Sequence, residues 1–180
     1  SALPEAGWRL GITTTDYLQT QQQAVFPLVP GDTVADAEAA YASLNGPLFF
    51  AHREAGFDAL HSYTTLNSYN QTWLRADAAL LVVFVSDEDE QSNYQFSSTP
   101  AGLQEFIQWY GNQRQSVYMA SIVKMPPNVS LCEGWSSPAD VGDRYMDATD
   151  AFNGVVVDIC EEDWSPGVAA ASSQVEPHEE

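Results

Sequence analysis

Lysine is nearly missing from this chain of 180 residues. Lys124 is the only one, and the basic residues together number 6 against 25 Asp and Glu. The formal net charge of -19 sets up a field that repels phosphate backbones and anionic lipids, which argues against nucleic acid and a bare membrane surface as partners. Long apolar runs are lacking too. The longest, Ala78 to Val85, is less than half of the roughly twenty residues that a membrane-spanning helix needs, so no direct membrane insertion is expected. Cysteine is down to Cys132 and Cys160, with no C-x-x-C pair and no tight cluster with histidine, which leaves no zinc pattern. Ser86 follows the apolar run, where a hydrolase nucleophile could stand, but no G-x-S-x-G surrounds it; no Gly-rich phosphate loop occurs, and His52, His61 and His178 suggest no triad. The chain opens Ser1-Ala2-Leu3-Pro4 without methionine or a visible leader, as a processed form or an excised piece would.

What is present suffices for one sizeable core. Hydrophobic residues make up 44% and aromatics 12%, well above a disordered chain. Trp8 to Thr15 reads as a strand ending at Asp16. Asp32 or Thr33 caps a helix to Leu44, stopped by Asn45-Gly46-Pro47. A second helix is expected over His52 to Tyr63. Ala78 to Val85 is continuous rather than alternating, as in a parallel strand covered on both faces. Thr99-Pro100 opens a helix to Tyr110, Val117 to Val123 is a strand, and Ser137-Pro138 opens a helix to about Phe152. Asn153-Gly154 breaks that helix before a strand over Val155 to Cys160 and a short helix from Trp164 to Ser173. This alternation predicts a single three-layer, Rossmann-like α/β domain over residues 1–173, with a mostly parallel central sheet, and a polar tail over 174–180.

Ligands of such sheets meet the carboxyl ends of the strands. Asp16 and the run Asp87-Glu88-Asp89-Glu90 fall there, and their hard oxygens suit magnesium, calcium or manganese. Asp87, nearest the rigid strand, is the first candidate ligand, Asp89 the second and Asp16 the third; the competing reading is a solvated turn. Cys132 and Cys160 are either two buried thiols or a disulfide, which would close a loop of about 27 residues and add on the order of 3 kcal/mol. Asn70-Gln71-Thr72 and Asn128-Val129-Ser130 match the N-glycosylation pattern.

Several stretches have a familiar form. Leu80-Leu81-Val82-Val83-Phe84-Val85-Ser86-Asp87-Glu88-Asp89 resembles the fourth strand of von Willebrand factor A-like domains of a bacterial secreted type. Leu10 to Asp16 resembles their second strand. Glu54 to Leu60 resembles the helix before the central strand, and Arg144-Tyr145, Asn153-Gly154 and Asp158-Ile159-Cys160 resemble the closing helix, turn and strand. The likeness runs over about residues 8–170. The family's first-strand Asp-x-Ser-x-Ser occurs nowhere in the chain, and its second-loop threonine has no clear match between Gly46 and His52.

The resemblance implies an adhesion-type domain, secreted, periplasmic or at the cell surface, that recognises a protein or glycan partner. It implies a divalent cation, Mg2+ or Ca2+, held weakly with Asp87 as a ligand, and with the pair count it favours a Cys132–Cys160 disulfide. The domain is expected not to be an enzyme. A structural or assembly role in a secreted or virion particle is the first alternative, and a hydrolase the second.

Overall fold

The apolar run of the sequence becomes the strand β1, Leu80–Ser86. A computed structural model of the protein describes residues 7–20, 27–44, 53–70, 73–126 and 141–175. Two compact units emerge from its contacts: one comprises Ala76–Gln91 with Phe96–Glu180, the other Ala2–Arg75 with Ser92–Gln95.

In the first unit β1 pairs in parallel with β2, Val117–Val123, which pairs in parallel with β3, Val155–Asp158, in the order β1-β2-β3. The connections are helical, as parallel strands require. Pro100–Gly111 forms α4, Asp143–Ala151 forms α5, and Ser165–Ser173 forms α6 after β3. The Thr99 hydroxyl caps α4 by accepting the Gly102 N–H, and Pro100 occupies the first turn, where its missing N–H costs nothing.

Both faces of the sheet carry helices, which makes three layers. On one face Phe84 of β1 meets Phe106 of α4 at 6.2 Å and Tyr145 of α5 at 5.0 Å between ring centroids. Ser121 of β2 shares a 2.5 Å hydrogen bond with Thr149 of α5. The Tyr110 hydroxyl reaches the carbonyls of Leu80 (3.1 Å) and Tyr118 (2.7 Å), fastening α4 to two strands, and burial pushes its acidity well out of the physiological range. On the other face α6 lies so close to β3 that a Cβ on Gly167 would collide with Val157.

The turn from α5 into β3 is a Schellman motif. Gly154 N–H donates to Thr149 O and Asn153 N–H to Asp150 O, both at 3.0 Å, with Asn153 left-handed at φ 51. Gly154 has no room for a Cβ because the Met119 carbonyl of β2 stands there.

The second unit holds α1 (Tyr17–Thr20), α2 (Val34–Leu44) and α3 (Gly56–His61), which runs on as a π-helical turn over Ser62–Leu66. Thr33 and Asp36 form a reciprocal capping box at the start of α2, with Thr33 N–H to Asp36 Oδ2 at 2.7 Å.

The strand expected over Trp8–Thr15 is not formed. Leu10 makes a single antiparallel bridge to Leu28, and residues 11–15 after it join no ladder. Gly11 is pressed against the rings of Tyr63 and Trp73, and Arg9 donates to the Trp73 carbonyl at 2.7 Å, so the segment is held by rings and a side chain rather than by strand pairing. The helix expected from His52 begins instead at Gly56. The first part of the one expected from Ser137 lies outside the described residues; α5 starts after Gly142, where a Cβ would stand 2.6 Å from Val123 Cβ.

Among the described residues no helix is long and apolar enough to cross a membrane.

Candidate functional site

The acidic run leaves β1 through a turn made by Ser86. Its buried hydroxyl lies 3.0 Å from the Glu88 carbonyl and 3.3 Å from the Glu88 N–H, an ST-type turn that swings the chain off the strand. The four acids then part company. Asp87 is half-buried and has no polar partner among the described residues. Glu88 is exposed and accepts from the Gln91 amide at 2.8 Å. Asp89 accepts the Arg144 backbone N–H at 3.0 Å, in the first turn of α5, where the helix presents unsatisfied donors and partial positive charge. Glu90 is buried and forms an ion pair with the Arg144 guanidinium at 3.5 Å, and the same nitrogen donates to Ser97 O at 3.0 Å.

Asp89 and Glu90 therefore act as a staple between the tip of β1 and the start of α5. Burial pushes the Asp89 carboxyl up from the usual carboxylate range, against the opposing pull of the Arg144 and Glu90 backbone N–H groups and the Arg144 charge. The other strand tips carry buried charge as well. Lys124 follows β2 and is buried, and its carbonyl accepts the Gly142 N–H at 3.2 Å. Asp158 ends β3 and accepts the Cys160 N–H at 3.0 Å.

A second carboxylate arrangement occupies the other unit. Asp58 of α3 is buried, and its two oxygens accept the backbone N–H groups of Asn93 (2.9 Å), Tyr94 (2.8 Å) and Gln95 (2.9 Å). Three successive N–H groups around one anion make a nest. The Asp58 N–H returns a bond to Ser92 Oγ at 2.9 Å. Tyr94, so fixed, stacks on Tyr17 with ring centroids 4.5 Å apart and planes 10° from parallel. His61 lies one turn beyond Asp58; burial lowers its basicity more than the Asp58 charge raises it. Asn70 is buried, donating to the Tyr63 carbonyl and accepting from the Trp73 indole at 3.1 Å, so its side-chain amide is engaged on both sides in the folded chain.

The expected site residues are thus distributed. Asp87 and Asp89 lie at the tip of β1, and half-buried Asp16, just before α1, belongs to the other compact unit. The expectation of a metal-binding domain is corrected: among the described residues no three His, Cys, Asp or Glu side chains converge as a cation site. The physical reason at the β1 tip is that the inner acids turn toward Arg144 and α5. The disulfide expectation reaches outside the described residues at Cys132; Cys160, just past β3, is not a free thiol. His52, His178 and the Asn128 sequon also lie outside the described residues.

Sequence reasoning gave no role to Asp58 or Arg144 beyond their place in a motif. Arg144 had a signal: it is one of few cations in a chain with four adjacent acids to neutralise. Asp58 had none, because its partners are backbone groups far along the chain.

No protein-family model matches this chain, and no curated protein or solved structure matches it.

Proposed function

We propose that the chain is a binding domain that acts outside the cytoplasm, is von Willebrand factor A-like in fold, and recognises a protein partner along β1. One observation carries this reading. Val83, Val85 and Asp87 occupy alternate positions on and just past β1; the valines are 39% and 49% exposed, and Asp87 has no polar partner among the described residues. Their register partners on the same face, Ala120 and Ile122, are buried, so the apolar layer runs out to β1 and stops uncovered. A stripe of β-branched side chains closed by a carboxylate suits a protein surface that offers apolar contacts and an arginine or lysine, and the charge of -19 steers such a surface inward. Against the hydrolase reading, the Ser86 hydroxyl is occupied by the Glu88 backbone.

Photo-crosslinking tests the proposal. A crosslinking residue is placed at Val85, and at Val34 as an exposed control, and each protein is incubated with surface and secreted proteins of its source. The Val85 protein should form discrete adducts that wild type competes away and that Val85→Asp or Asp87→Arg protein does not. Equal adducts from both positions, or equal competition by all proteins, would contradict the proposal.

A further inference from the structure

We infer that Tyr94, stacked on Tyr17 and pinned by Asp58, is a platform for a neutral sugar ring. The argument starts from exposure. Tyr94 has one ring face against Tyr17 at 4.5 Å and is still 64% exposed, so its other face meets solvent. An exposed aromatic on a loop normally loses rotamer freedom when it binds, which subtracts from affinity. Here much of that ordering is already built in. The Asp58 nest fixes the backbone on both sides of Tyr94, with the N–H groups of Asn93, Tyr94 and Gln95 all held within 2.9 Å of a carboxylate oxygen. Tyr17, in turn, sits at the start of α1.

The chemistry beside the ring selects the ligand. Asn93 and Gln95 flank Tyr94, both are exposed, and neither side-chain amide has a polar partner among the described residues. Each amide offers donors and an acceptor. A flat apolar face edged by such groups complements a pyranose, whose axial C–H groups form an apolar face and whose hydroxyls both donate and accept. An anionic glycan is opposed by the charge of -19. A cation over the ring would be favoured by a flanking carboxylate, and both neighbours of Tyr94 are amides. The site rests on residues other than those of the β1 surface.

The test uses the whole chain against immobilised cellohexaose, maltohexaose, xylohexaose and chitohexaose, followed by titration of the best binder with tyrosine fluorescence and calorimetry. At least one should bind, with the same affinity at low and high salt, because the ligand carries no charge. Tyr94→Ala should weaken it roughly tenfold, Tyr17→Ala by less, and Tyr94→Trp should retain binding. Val85→Asp and Asp87→Arg should leave it unchanged, which separates this inference from the proposal for β1. Circular dichroism of each variant confirms that it is folded. Failure of all four sugars, full binding by folded Tyr94→Ala, or binding of a trimethyl-lysine peptide in their place would overturn the inference.

Discussion

The backbone N–H of Arg144 donates to the carboxylate of Asp89 at 3.0 Å, across 55 positions of sequence. This one contact decides what half of the acidic run does. A carboxylate that caps a helix from another element serves the fold, and Glu90 beside it neutralises the side chain of the same arginine. The run is a fastening at its inner end and an available surface at its outer end.

The raised Asp89 pKa has a sign that can be worked out. A carboxyl whose pKa is higher in the folded state binds its proton more tightly there than when unfolded. Its contribution is most favourable below the unfolded pKa and is lost as pH rises through the folded value. Asp89→Asn, which keeps an acceptor oxygen and drops the charge, should therefore equal or exceed wild type in stability at neutral pH, with the advantage shrinking toward pH of about 4. Asp89→Ala removes the cap and should cost about 1 kcal/mol at neutral pH. Urea unfolding at the two pH values checks both. A loss in Asp89→Asn as large as in Asp89→Ala would show that burial of the charge is not the dominant effect.

Asn153 offers a cleaner local test. Its left-handed conformation, φ 51, closes the Schellman turn and is one that Gly adopts freely and a β-branched residue resists. Asn153→Gly should be neutral or stabilising by a few tenths of a kcal/mol, and Asn153→Val should cost about 1–2 kcal/mol. Equal melting temperatures for the two variants would contradict the assigned turn.

Much of the first unit was legible in the sequence because its signals are local. Val117–Val123 is a compact apolar run, Thr99-Pro100 is a cap and first turn, and Asn153-Gly154 is a left-handed stop; each appears where it was read. The parallel sheet follows from their alternation with helices. Trp8–Thr15 failed because threonines and Leu10 imitate a strand while Gly11 answers to a packing partner, the Tyr63 and Trp73 rings, that no local pattern contains. The position of β1 was only partly legible: its continuous apolar run reads as covered on both faces, yet Val83 and Val85 remain exposed. At the candidate site the acids were visible and their division of labour was not. Asp58 and Arg144 act through backbone atoms and one salt bridge at long sequence separation, and a single sequence carries no mark of such pairings.

The division of the acidic run is tested most directly by thermal unfolding of Asp87→Asn and Glu90→Gln side by side at neutral pH. Glu90 is buried against Arg144, so neutralising it takes a carboxylate charge away from a largely buried guanidinium and should cost about 3 kcal/mol. Asp87 has no polar partner among the described residues, so its neutralisation should leave the melting temperature unchanged or raise it slightly by easing repulsion within the run. A loss in Asp87→Asn as large as in Glu90→Gln would place Asp87 inside the fastening. A silent Glu90→Gln would remove the fastening itself.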